Sequence, residues 1–205
     1  MPARRLRHSV WTMDRMDVAI SEQEGILRIA QAASQGREGE ARELLAQCLR
    51  VHPGSGRANY LMAAELAEAG DMEESLVRFA AALEAEPGLH EARLQWAMLL
   101  LVLGRVPAAV DVLVGMASVS VHPALRAYQR ALRHVATGEL KRATVELRAG
   151  LALQHPNRPL ARDMGALMAH IEQSLDGRAS SAIHASAYDA PGHFLVQAYD
   201  AMSKP

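Results

Sequence analysis

The sequence predicts an all-α fold of stacked helical hairpins, on three observations. Strong helix formers dominate the 205 residues: 38 are Ala and 26 are Leu, against 2 Trp, 4 Tyr and 2 Phe, so the aromatic residues that favour strands are scarce. Gly36, Gly70, Gly104 and Gly138 stand 34 residues apart at every interval. Each of these glycines separates two stretches whose apolar residues recur at helical spacing, which is how a helix turns one face to a core. A fixed period of this size is the signature of a repeat array, in which each unit buries its apolar face against the next.

Taken in order, residues 1–20 form an N-terminal extension in which Arg4, Arg5 and Arg7 precede Val10, Trp11, Met13 and Met16, side chains that can cover the first repeat. Thr12, Asp14, Arg15 and Asp17 break the apolar run, so no secretory leader is expected. The solenoid is expected over 21–175. Its first helix, 22–34, is opened by Ser21 with Glu24 three positions on, a pair that can satisfy backbone donors at the helix start. Helices follow at 37–51, 56–69 (capped by Ser55), 71–85, 88–103, 106–119, 124–136 and 139–153. Pro53, Pro87, Pro123 and Pro156 close the four units, because proline cannot donate the hydrogen bond that would continue a helix. The later placement of Pro123 predicts a longer second helix, or a looser turn, in the third unit. Asn157 and Pro159 open one more helix to Leu175, with Leu160, Met164, Leu167, Met168 and Ile171 on one face, expected to cap the array. Residues 176–191 are small and polar and are expected to form a flexible linker. Residues 192–205 place Leu195, Ala198, Tyr199 and Met202 on one stripe, a short amphipathic helix or a disordered tail.

The residues around each glycine also repeat. Five positions downstream stand Ala41, Ser75, Ala109 and Ala143, and four further on Leu45, Phe79, Leu113 and Leu147. Seven positions upstream stand Ile29, Ala63, Ala97 and Ala131. The clearest unit, GDMEESLVRFAAALEAEP at 70–87, runs Gly, small, Phe, Ala82, Pro. In this register residues 22–156 resemble the tetratricopeptide repeat (TPR) family. The pattern departs at the family's Trp and Tyr positions, which hold Asn59, Arg93 and Ala127, and Leu66, Leu100 and His134.

The resemblance implies a right-handed superhelix, with the first helices of successive repeats lining a concave groove. The groove positions fall on Arg57, Tyr60, Ala64, Ala67 and Glu68; on Glu91, Leu94, Met98, Leu101 and Val102; and on Leu125, Tyr128, Leu132, Val135 and Ala136. This set is largely apolar, so the implied ligand is an apolar or amphipathic peptide; the alternative is that the stripe is core or covered within the molecule, since large exposed apolar patches are rare on monomers. Family members that grip acidic C-termini use a basic clamp, whereas the corresponding positions here hold Ile26, Ala30, Leu61, Glu91 and Gln95. The apolar groove is more similar to that of bacterial secretion chaperones, and the ratio of 20 Arg to 2 Lys agrees with a bacterial source.

Chemistry finds little support. Neither phosphate-binding glycine motif occurs, and His90-Glu91 lacks a second histidine four positions on, where Leu94 stands. His52, His122 and His155 each precede the end of a unit and read as turn residues. His184, Tyr188 and Asp189 of the expected linker, with His193 just beyond it, could form a polar cluster, but a flexible segment cannot preorganise a catalytic group. Cys48 occupies the position of Ala82 and reads as a small buried hydrophobe. No catalytic residue, metal or cofactor is expected. The net charge of −1 gives no field for nucleic acid, the longest apolar run (Trp96 to Leu103) is too short to insert in a membrane, and a single Cys fits a cytoplasmic protein. The expectation is a non-enzymatic interaction module binding a protein or peptide partner as adaptor or chaperone. The alternative is a self-assembling scaffold, a homo-oligomer formed through the groove or the C-terminal helix.

Overall fold

In a computed structural model describing residues 21–116 and 121–176, every glycine of the 34-residue ladder ends a helix. Gly36, Gly70, Gly104 and Gly138 adopt φ of +71°, +85°, +69° and +74°, a left-handed conformation that side chains with a Cβ rarely take. The same pair of backbone bonds closes all four turns. At the second, Gly70 N–H donates to the Ala67 carbonyl (3.1 Å) and Asp71 N–H to the Leu66 carbonyl (2.9 Å).

Nine helices result among the described residues: α1 (Glu22–Ser34), α2 (Glu38–Val51), α3 (Gly56–Glu68), α4 (Met72–Ala85), α5 (His90–Val102), α6 (Val106–Val114), α7 (Pro123–Ala136), α8 (Leu140–Ala152) and α9 (Arg158–Leu175). No strand occurs among these residues. The three side-chain caps expected from sequence are present: Ser21 accepts from Glu24 N–H, Ser55 from Ala58 N–H and Asn157 from Leu160 N–H. Consecutive helices pair as hairpins, α1 with α2, α3 with α4, α5 with α6 and α7 with α8, and α9 packs against α8. The array is an all-α solenoid with its last helix closing one end. The expectations for residues 1–20, 177–191 and 192–205 fall outside the described residues.

The third unit corrects the expectation of a longer second helix. α6 stops at Val114, five residues short of the expected end. Arg93 of α5 donates from Nη1 to the Val112 carbonyl (3.3 Å) in the last turn of α6, and its guanidinium fills the space that a side chain at Gly115 would need. Pro123 likewise opens α7 at its first turn, where a missing N–H does no harm, instead of closing the unit before it.

Polar ties stand where the resembling family places a bulky aromatic. Asn59 is buried and its Nδ2 donates to the Pro53 carbonyl (3.0 Å) and the Ser55 carbonyl (2.9 Å). One repeat later, Arg93 Nη2 donates to the Pro87 carbonyl (3.1 Å). Both side chains therefore bind the carbonyl of the proline six residues before them. Ser75, in the small position of the second unit, donates from Oγ to the Ala63 carbonyl (2.7 Å), stitching α4 to α3 without leaving its hydroxyl unpaired in the core.

The buried residues separate into two clusters. Ile29, Ala32, Ala41, Leu45, Cys48 and Ala58 form a small one among α1, α2 and the start of α3. A far larger one runs continuously from Ala63 of α3 to Ile171 of α9 and contains Phe79, Leu94, Leu113, Tyr128, Leu147 and Met164.

Candidate functional site

The structure corrects the reading of the apolar stripe as an open groove. Leu94, Tyr128 and Leu132 are fully buried, and Met98, Leu101 and Leu125 retain no more than 6% of their surface. Ala67 and Val102 are buried with them, and Tyr60, Ala64, Val135 and Ala136 are half-buried. Of the remaining positions, Glu91 is half-buried, while Arg57 and Glu68 are exposed, Arg57 being paired with Glu86 (3.6 Å). Tyr128 shows why the stripe is core: its ring lies against the backbone of Gly150, in space where any Cβ would collide with it. A residue of this kind holds α7 to α8 and is closed to a ligand.

α9 completes the burial, because it crosses back over the first helices of earlier repeats. Its Leu160, Met164, Leu167 and Ile171 enter the same cluster as Leu94 and Met98. Gln95 of α5 donates from Nε2 to Asp163 Oδ2 (3.1 Å), and Asn157, the α9 cap, donates from Nδ2 to the Tyr60 hydroxyl of α3 (3.4 Å). Burial pushes the Tyr60 hydroxyl up to about 12. Burial also pushes the Asp163 carboxyl up to about 6; the Glu68 carboxylate adds to the shift, while the Gln95 amide opposes it.

The turn before α9 gathers two of the histidines. His155 is buried, its Nδ1 accepts from Asn157 N–H (3.2 Å), and its ring meets that of His122 edge to face at 4.8 Å. Its Nε2 lies 3.7 Å from Glu91 Oε1. Burial holds the imidazole below its ordinary value, Glu91 acting against the shift and His122 with it. His122 itself caps α7, accepting from Ala124 N–H (3.2 Å). The sequence places both residues in turns, and the structure adds that the two turns meet. Among the described residues no group of three or more His, Cys, Asp or Glu is placed to hold a metal ion. Cys48 is buried against Gly25, and burial raises its thiol above the ordinary value.

An open cleft lies instead between α2 and α3. Its volume is about 450 Å³, and Leu45, Met62, Leu66 and Ala69 line it together with Arg42, Glu65 and Glu68. Arg42 Nε bonds Glu65 Oε2 at 2.7 Å across the two helices. Glu68 has no such partner among the described residues. Its carboxyl lies above the ordinary carboxylate range, first through lost solvent and then through the neighbouring carboxylates of Glu65 and Glu38, with Arg42 and Arg162 opposing. An apolar floor under an acidic rim suits a ligand that is apolar on one side and cationic on the other. Groove mapping by family register reached Glu68 but missed the rest, because Arg42 and Leu45 belong to a second helix. The sequence signal that could have found them is Glu65 and Glu68 on one α3 face with Met62 and Leu66 beside them.

No helix among the described residues is long and apolar enough to cross a membrane. Comparison with known proteins yields structural likenesses alone. No protein-family model matches the chain, and no curated protein matches it. Among solved structures, a MamA RS-1 ArsTM double mutant is similar at 17% identity and a TM-score of 0.48, over 76% of this chain and 97% of that one. MamA from residue 41 to its end, from Desulfovibrio magneticus RS-1, is similar at 15% identity and a TM-score of 0.48, over 78% of this chain and 97% of that one.

Proposed function

We propose that this chain is a non-enzymatic protein-interaction module of the tetratricopeptide type, an adaptor or chaperone that takes a peptide segment in the cleft between α2 and α3. The observation carrying this reading is the cleft itself. It is open, floored by Leu45, Met62 and Leu66, and rimmed by carboxylates of which Glu68 is unpaired among the described residues. The ligand it suits is an amphipathic peptide with basic residues beside apolar ones. The buried stripe from Leu94 to Leu132 belongs to the other, larger cluster and does not line the cleft.

An array of short peptides, with and without basic residues flanking an apolar pair, tests the reading by fluorescence titration of the full chain. Basic amphipathic members are expected to bind, and Ala69→Trp, which fills the cleft from an exposed position, should weaken them at least tenfold without moving the thermal midpoint. Equal binding by the filled variant would remove the cleft as the site.

A self-assembling scaffold is the second reading, and the outer face of α1 favours it. Leu27 is 64% exposed there, at the end of the array where no further described repeat covers it. Sedimentation of the protein and of Leu27→Glu decides: a mass above the monomer that the variant lowers supports assembly through α1, and a monomer in both forms ends it.

A further inference from the structure

We infer that the cleft between α2 and α3 receives a segment of another protein whose anchor is an aromatic side chain, with an arginine or lysine beside it. The inference rests on the reading of the cleft as a peptide site and names the side chains that the site selects. The next seam of the same array, where α4 meets α5, shows what the cleft lacks. Thirty-four residues on, Leu45 gives way to Phe79, Met62 to Trp96 and Ala69 to Leu103, and these larger residues belong to the main core cluster or pack against it. The polar positions change as well: Arg42, Glu65 and Glu68 correspond to Leu76, Leu99 and Val102, all buried in that cluster. One repeat geometry therefore holds a filled seam and an open one, and the difference is bulk. Phe to Leu, Trp to Met and Leu to Ala together remove about the volume of one aromatic side chain, space that close packing fills in the second seam. Met62 suits a ring in that space, because an unbranched thioether adapts its shape and makes favourable contact with an aromatic edge.

Charge places the cation. Glu68 stands under the influence of Glu65 and Glu38 on one side and of Arg42 and Arg162 on the other, so with Glu68 itself this rim carries three carboxylates against two guanidiniums. Arg42 is bonded to Glu65 at 2.7 Å. Lost solvent is the first reason that the Glu68 carboxyl lies high, and the neighbouring carboxylates come second. A ligand cation entering beside Glu68 replaces the lost hydration with a charge-assisted hydrogen bond. A second copy of this chain is a poorer occupant, because among the described residues its Phe, Tyr and Trp side chains (Tyr60, Phe79, Trp96 and Tyr128) are all buried or half-buried.

Fluorescence anisotropy of labelled peptides titrated with the full chain tests this. The peptides share one scaffold in which the anchor is Trp, Phe, Leu or Ala and the neighbouring residue is Arg or Glu. Trp beside Arg is expected to bind about tenfold tighter than Leu beside Arg, and Glu in place of Arg should weaken binding about tenfold again. Met62→Trp gives the first seam the residue of the second and should abolish the preference for an aromatic anchor. Ala69→Leu, a smaller filling at an exposed position, should do the same and serves if Met62→Trp does not fold. Glu68→Gln should shrink the preference for Arg over Glu. Equal binding of Trp and Leu anchors, or an aromatic preference that survives the fillings, would overturn the inference while leaving the peptide-site reading in place. Binding by no peptide would remove both. A mass above the monomer that the fillings lower would put a second copy in the cleft and likewise overturn it.

Discussion

The α1–α2 unit and the body from α3 to α9 are built on one repeat pattern yet are secured very differently. In the first unit the buried set is Ile29, Ala32, Ala41, Leu45, Cys48 and Ala58, half of it alanine. In the body the position of Leu45 holds Phe79, Leu113 and Leu147, fully buried Leu94 and Tyr128 stand in the register of partly buried Ile26, and α9 closes it from the far end. Stabilisation by burial follows the apolar area removed from water, so the two regions differ chiefly in how many neighbours each repeat has. Among the described residues no repeat precedes α1, so Leu27 stays exposed, while the cleft opens at the seam where α2 meets α3. The comparison teaches that the open surface of a repeat array follows from how closely neighbouring units pack, more than from which residues are apolar.

Placing a charge in each region breaks the comparison most sharply. Leu94→Arg puts an unpaired cation in the fully buried body and is expected to lose more than about 4 kcal/mol of stability, whereas Leu27→Arg on the open face of α1 should change it by less than about 0.5 kcal/mol. Urea denaturation followed by circular dichroism measures both. Comparable losses would mean that α1 is packed as tightly as α5.

Truncations read the same difference more gently. Leu147→Ala removes a fully buried side chain from the body and should cost about 3–5 kcal/mol in the same assay, against about 2–3 for Leu45→Ala, whose surroundings on the cleft side can relax into the space. Hydrogen exchange should then show α1 and α2 amides losing protection in Leu45→Ala while α5 and α7 keep theirs. Uniform loss would make the two regions one cooperative unit.

Acidity sharpens the account of α9. The folded Asp163 carboxyl sits at about 6, above its unfolded value, so the native state holds that proton more tightly. This contribution to stability is complete below about pH 4 and is lost as pH rises through 6. Asp163→Asn, which keeps an acceptor for Gln95, should therefore gain about 1–3 kcal/mol at pH 8 and nothing at pH 4, by denaturation at the two values. A gain independent of pH would show that the carboxyl is not buried at the α5–α9 contact.

Glycines give the smallest effect. Gly104→Ala forces a Cβ into the left-handed turn and should cost about 1 kcal/mol, while Gly165→Ala, in open space within α9, should gain about 0.5–1 kcal/mol. Thermal midpoints shifting in opposite directions would confirm the contrast between a turn and a helix interior.

Much of the fold was legible because it is local. Glycine spacing, cap residues and the 3.6 period depend on a few neighbouring side chains, and they located α1 to its terminal residues and most other helices to within two. α6 was misjudged because Arg93, nineteen residues before Val112, binds the carbonyl in its last turn and fills the space beside Gly115, a contact that local sequence does not show. The candidate site was less legible. An apolar stripe reads alike whether a partner, a neighbouring repeat or a returning helix covers it, and here Tyr128 against Gly150 and α9 across Gln95 and Tyr60 make it core.

The amino-acid sequence by itself therefore determined the unit: two helices, a left-handed glycine turn, and an apolar face to be stacked. Tertiary structure alone decided which apolar residues stayed open, bringing Arg42 of α2 to Glu65 of α3 and leaving Leu45, Met62 and Leu66 beneath an acidic rim. The physical reason is that helix and turn energies are set within about five residues along the chain, whereas burial is set by whatever else folds back onto the same face.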